Sequence, residues 1–111
     1  MSFDWKEYFT LAVELSQRLE ESSLRSAISR AYYSAFCIAR NKKGYKNYRK
    51  TDIHSVVINA WKKDIKEVGW HLDELRRGRN DADYDEDKKI DQELTKRIIS
   101  VTEKILRLLQ V

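Results

Sequence analysis

The sequence predicts an all-α protein, an up-and-down bundle of four long helices plus a short extra helix. Proline is absent and glycine occurs only 3 times in 111 residues, so few positions discourage helix. Apolar residues recur at alternating steps of three and four, the spacing of one helix face. Charged residues make up 36% of the chain and fill the positions between those stripes, as they do on the solvent faces of a bundle. The length suits one core, so residues 1–111 are read as a single domain.

The first stripe is Trp5, Tyr8, Ala12, Leu15 and Leu19, with Asp4 and Glu7 as a capping pair at its start. Ser22 and Ser23 offer an N-cap for a second helix. Its stripe is Leu24, Ala27, Ile28, Ala31, Ala35 and Ile38, widened by Tyr32, Phe36 and Ala39. The alanines on that face let a neighbouring helix approach closely. Gly44 ends this helix behind Arg40, Lys42 and Lys43, cations suited to the negative end of the helix dipole. Residues 44–51 read as a loop, and Thr51 or Asp52 caps a short helix carrying Ile53, Val56, Val57, Ala60 and Trp61. A break near Asp64 leads to the stripe Ile65, Val68, Leu72 and Leu75, with Gly78 as the expected end. Residues 80–87 are polar and acidic and read as a loop, with Asp85 or Asp87 capping the last helix. That helix carries Leu94, Ile98, Val101, Ile105 and Leu108, two heptads of seam flanked by Ile99, Leu106 and Leu109. So wide an apolar face suits a bundle and a homodimer contact, made by part of this seam or by the face around Arg79.

Two runs carry the chemistry. Arg79-Asn80-Asp81-Ala82-Asp83-Tyr84 puts a fixed cation, a carboxamide, two carboxylates and a phenol within six residues. Arg30-Ala31-Tyr32-Tyr33-Ser34-Ala35-Phe36 places an arginine inside an apolar, aromatic helix. An arginine there needs an anionic partner, because an unpaired buried charge is costly, and Asp81, Asp83 and Asp85 are the candidates. Arg30 is thus expected to anchor the acidic segment or to bind phosphate, and its loss to destabilise the fold more than loss of Arg79. Tyr32 and Tyr33 point to different sides of the helix. Tyr33, one turn after Arg30, is expected on the side of the motif and Tyr32 in the core.

These two runs, about forty residues apart, resemble the HEPN (higher eukaryotes and prokaryotes nucleotide-binding) domain over nearly the whole chain. The resemblance implies a small helical bundle, usually dimeric. Many HEPN proteins are metal-independent ribonucleases of toxin–antitoxin and defence systems, and many are paired with a small nucleotidyltransferase. Their motif is an arginine, a polar residue and then a histidine four to six residues after the arginine. Here Arg79 matches the arginine and Asn80 the polar position, but Tyr84 stands where the histidine falls. In the nuclease reading Arg79 stabilises the phosphate, Asn80 orients it and Tyr84 donates a proton, while Asp83 and Tyr33 support the arginines. Tyr84 cannot replace a histidine that titrates near neutrality. Binding of RNA or a nucleotide without cleavage therefore stands beside the nuclease reading. A third reading is a non-catalytic interaction module whose Arg/Asp/Tyr motif is a structural ion-pair network.

Between Arg40 and Lys50 there is no acidic residue. Arg40, Lys42, Lys43, Lys46, Arg49 and Lys50 are interleaved with Tyr45 and Tyr48, a composition suited to single-stranded RNA or to an acidic partner. The net charge of +4 permits a polyanion without demanding one. Cys37, among Ala35, Phe36 and Ile38, reads as a small buried hydrophobe, and two scattered histidines with one cysteine make no zinc site, so no metal or cofactor is expected. His54 reads as a cap or surface residue, and His71, more than two turns before Arg79, as a poor substitute for the missing histidine within one chain, though a dimer could bring it closer. The N-terminal residues lack the pattern of a signal peptide and no apolar stretch spans a membrane, so the expected location is cytoplasmic.

Overall fold

A computed structural model describes residues 2–111 as five helices: α1 (Lys6–Ser16), α2 (Glu21–Lys42), α3 (Ile53–Asp64), α4 (Lys66–Tyr84) and α5 (Gln92–Leu108). The expected all-α bundle is the fold observed, except that two of its five helices are short, α1 with 11 residues as well as α3 with 12. Helix α2 is its axis. Its 22 residues, roughly 33 Å of helix at 1.5 Å per residue, touch all four other helices. The predicted stripes converge on it. Ala27, Ile28, Ala31, Tyr32 and Ala35 are sealed from solvent against Leu72 and Leu75 of α4 and Ile105 of α5. Ala12 of α1 reaches the same core.

Several boundaries differ from the sequence expectation. Leu19 lies beyond the end of α1 and is 83% exposed, so the first stripe stops before it. Ser22 and Ser23 lie inside α2, whose N-cap is Glu20. Asp52 does sit at the N-cap of α3, but its carboxylate accepts the Tyr48 hydroxyl at 2.7 Å rather than capping the helix. The cap of α5 is Asp91, whose Oδ1 accepts from the Leu94 amide at 2.9 Å, whereas Asp85 Oδ1 closes a turn by accepting from the Asp87 amide. The apolar residues of α5 are largely consumed within the bundle: Ile98, Ile105, Leu106 and Leu109 are buried and Leu94, Ile99, Val101 and Leu108 pack against the core.

The most consequential difference concerns Gly78. Helix α4 runs through it and continues to Tyr84. A Cβ at Gly78 would lie 3.2 Å from Ile98 Cδ1 and 3.8 Å from Ile28 Cγ2. The glycine is there because α2 and α5 come close, not because the helix stops. The run from Arg79 to Tyr84 is therefore helical rather than a loop. By contrast Gly44, at φ +82°, does end α2 as expected, in the left-handed conformation that favours glycine.

Gly69 marks a close helix approach. A Cβ there would fall 2.4 Å from Lys62 Cγ and 2.6 Å from the Lys62 backbone nitrogen, so α3 and α4 meet backbone to backbone at this point. Gly69→Ala must push the two helices apart. We expect it to cost about 1–3 kcal/mol in urea unfolding, as overpacking does elsewhere, despite the better helix propensity of alanine. A neutral or stabilising result would contradict the close packing.

Candidate functional site

The centre of the site is the last two turns of α4. Arg79 and Asp83 are one turn apart, and Arg79 Nε donates to Asp83 Oδ2 at 3.0 Å. The same carboxylate oxygen accepts the Ser29 hydroxyl of α2 at 3.0 Å, so Asp83 ties the motif to the central helix. The remaining Arg79 nitrogens face outward, donating to Asn80 Oδ1 at 3.2 Å and to the Tyr84 hydroxyl at 3.1 Å. The guanidinium carbon stands 5.2 Å from the Tyr33 ring centre and 5.1 Å from that of Tyr84, within cation–π range of both. Burial disfavours its charge, but the phenols of Tyr33 and Tyr84 and the Asp83 carboxylate outweigh this and hold its pKa above the ordinary arginine value. Tyr84 is 71% exposed, so the outer ring of the clamp is open to solvent.

Behind Tyr33 lies a group of rings. His54, at the start of α3, stacks on Phe36 at 4.3 Å and meets Tyr33 edge-on at 6.2 Å. Its Nδ1 contacts the buried Tyr32 hydroxyl at 2.5 Å. Burial pushes the Tyr32 phenol up, so it keeps its proton, and His54 is its one partner among the described residues. The phenol therefore donates to Nδ1, and the proton of the neutral imidazole sits on Nε2. Burial, with the charges of Arg76 and Arg79, lowers the His54 pKa to about 4. His54 is a neutral ring at physiological pH, neither a surface residue nor a base ready to titrate near 7.

The lowered pKa has a consequence for stability. The folded pKa lies below the ordinary histidine value of 6.5, so the unfolded chain binds the extra proton first. The contribution of His54 is present above pH 6.5 and is lost as pH falls from there toward 4. We expect the melting temperature to drop between pH 7 and pH 4.5, and to drop less in His54→Phe, which keeps a ring on Phe36 and cannot titrate. Parallel profiles for the two proteins would refute the assignment.

The expected anchor is a different arginine. Among the described residues Arg30 forms no ion pair, and its guanidinium lies over the Tyr8 ring at 4.9 Å, on the side of α2 facing α1. The segment that follows the motif is held instead by Arg25. Its Nη1 donates to the carbonyls of Asp81 at 3.2 Å, Ala82 at 3.0 Å and Asp85 at 3.0 Å. Its Nη2 reaches the Lys88 carbonyl, and Nε pairs with Glu21 at 3.0 Å. Arg25 thus caps the C-terminus of α4, where carbonyls otherwise lack partners. The Tyr32 and Tyr33 assignments stand as expected, core and motif side respectively.

The basic segment 40–50 is less uniform than its composition. Lys43 pairs with Asp64 and covers the Trp61 ring at 4.4 Å. Tyr45 and Tyr48 meet each other edge-on at 5.8 Å. Arg49 donates to the Lys46 carbonyl at 3.2 Å, and Lys42, Lys46, Arg49 and Lys50 are exposed. Arg40 points away from the loop, toward Trp5 at the N-cap of α1, 5.8 Å away. His71 lies between Glu67 and Glu74, at 3.8 and 3.7 Å.

The HEPN domain model matches residues 13–111. The chain belongs to the HEPN family. No curated protein and no solved structure gives a match. Within this HEPN domain, sequence reading missed Arg25, Ser29, His54 and Arg76. Arg25, Ser29 and Tyr33 share one α2 face at steps of four, a polar stripe beside the apolar one that marks a helix facing a polar neighbour. Arg76, one turn before Arg79 and Asn80 on α4, has no ion-pair partner among the described residues, and its charge acts on both Tyr32 and His54. Among the described residues no helix is long and apolar enough to cross a membrane.

Proposed function

We propose that this HEPN protein binds single-stranded RNA through the Arg79 centre. The carrying observation is the charge balance. Arg76 and Arg79 lie one turn apart, and among the described residues Asp83 pairs with Arg79 while Arg76 has no carboxylate partner. The outward nitrogens of Arg79 spend their hydrogen bonds on neutral groups, Asn80 and the exposed Tyr84. A phosphate replaces both at a gain, because charge-assisted bonds are stronger. Tyr84 then offers its ring to a neighbouring base.

A specific contact favours metal-independent cleavage as a second activity of the same centre. The Tyr84 hydroxyl accepts from Arg79, which leaves its own proton to donate to a leaving oxygen. Two such centres brought together in a homodimer flank one phosphate with two guanidiniums. The dimer contact belongs to the Arg79 face, because α5 has spent its apolar residues in the bundle. Pairing with a small nucleotidyltransferase protein is consistent with the family, as is a toxin–antitoxin or defence setting. Cleavage of total RNA in chelator-containing buffer tests this activity. Tyr84→Phe is expected to lower cleavage at least tenfold and Tyr84→His to raise it, since an imidazole there restores the family motif. Products unchanged in both variants would leave RNA binding as the function. Light scattering at 13.2 kDa across micromolar concentrations would contradict the dimer.

A further inference from the structure

A groove of about 360 Å³ runs between α1 and α2, lined by Trp5, Tyr8, Arg30, Tyr33, Cys37 and Arg40. Its four α2 residues recur at steps of three, four and three, so they form one face of that helix. Its composition is unusual for a groove in a small bundle: two guanidiniums, three aromatic rings and no carboxylate. Each guanidinium lies over an aromatic ring at the start of the chain, Arg30 over Tyr8 of α1 at 4.9 Å and Arg40 over Trp5, the N-cap of α1, at 5.8 Å. Neither forms an ion pair among the described residues, and the hydrogen bond Arg40 makes is from Nε to Asn41 at 3.0 Å. Flat cations held on aromatic faces with their terminal nitrogens unspent are prepared for anions flanked by planar groups. Tyr33 is the wall shared with the Arg79 centre, whose guanidinium stands 5.2 Å from that same ring.

We propose that this groove is an extended binding surface for a single nucleic-acid strand, seating the nucleotides beside the phosphate held by Arg79. The inference rests on the reading of the Arg79 centre given above. Phosphates of the strand meet Arg30 and Arg40, and its bases lie against the rings of Trp5, Tyr8 and Tyr33, the pairing of stacking and charge that binds single strands without sequence preference. Arg30 then serves this surface rather than the acidic end of α4.

The test compares a long oligouridine with a trinucleotide by fluorescence anisotropy, over a range of salt, for the wild type, the double variant Arg30→Gln/Arg40→Gln, and Arg30→Lys/Arg40→Lys. The glutamine pair is expected to weaken the long ligand about tenfold and to flatten its salt slope by about two, one per lost phosphate contact. It should leave the trinucleotide, which reaches only the Arg79 centre, unchanged. The lysine pair, which preserves charge should the glutamine pair fold poorly, is expected to keep the salt slope and lose part of the affinity. Equal binding of the long strand by the wild type and both pairs overturns the groove while leaving the Arg79 centre in place. Binding of neither ligand by the wild type overturns both readings. A glutamine pair that sediments as a monomer where the wild type is a dimer assigns the groove to a second copy of the chain and overturns the proposal.

Discussion

Arg25→Ala is expected to be the most destabilising single replacement of a charged residue in this protein. One guanidinium, 20% exposed, satisfies the carbonyls of Asp81, Ala82, Asp85 and Lys88 and pairs with Glu21. Glu21 in turn accepts from the Ile90 amide at 3.3 Å, and Ile90 is a core residue, so the pair fastens the whole crossing from α4 to α5 to the start of α2. Alanine leaves a helix C-terminus without its donor and a partly covered carboxylate without its cation. Charged hydrogen bonds of this kind contribute about 1.5–3 kcal/mol each and act here as one unit, so a loss of about 2–4 kcal/mol is expected. That is a drop of roughly 10 °C in melting temperature for a domain of this size. Arg25→Lys keeps the charge but not the fork of donors and should recover less than half of the loss. Arg30→Ala, by contrast, removes a stacked cation worth about 0.5–1 kcal/mol. Equal melting temperatures for the Arg25 and Arg30 alanine variants would contradict this account of what anchors the motif.

Arg79→Ala carries the largest expected effect on function. The guanidinium is clamped by two rings and fixed through Nε to Asp83, so its outward nitrogens are preorganised toward a ligand. Losing a charged, geometrically fixed contact of about 1.5–3 kcal/mol weakens RNA binding ten- to hundredfold. Cleavage should fall further, because charge develops on the reacting phosphate in the transition state. Arg79→Lys is expected to recover the salt dependence but not the affinity, since an ammonium cannot hold Asp83 and a phosphate in one plane. The effect on stability should be smaller than that of Arg25, because the hydrogen bonds and ion pair of Arg79 stay within its own helix, whereas Arg25 ties α2 to the carbonyls at the end of α4. Undiminished RNA binding by Arg79→Ala at a clearly lowered melting temperature would make the motif a structural network, the interaction-module reading.

The helices and most of their stripes were legible because burial follows a period that the sequence displays directly. Leu72, Leu75, Ile98 and Ile105 fall in the core as their spacing predicts. Gly78 misled because the same residue that ends helices also permits close packing, and the partners that decide between these, Ile28 and Ile98, are distant in sequence. The motif itself was legible as a pattern of residue types, and Tyr33 was placed by helix geometry alone. Arg25 was invisible for a physical reason. Most of its partners are backbone carbonyls, which leave no residue signature, whereas Arg30 stands beside aromatics that advertise a buried ion pair and proves to stack on one instead. His54 joins the site only through the tertiary contact between α3 and the rings of α2, and no local pattern encodes that contact.

Placement of RNA on the Arg79 centre is the proposal on which the groove and the cleavage reading both rest. Photocross-linking of a 4-thiouridine oligonucleotide to the wild-type protein at low salt, followed by peptide mapping, tests it most directly. Adducts are expected on Tyr84, whose ring is 71% exposed beside the guanidinium, and they should be lost in Arg79→Ala. Adducts confined to the exposed lysines of α5, or a Tyr84 adduct that survives Arg79→Ala undiminished, would contradict it.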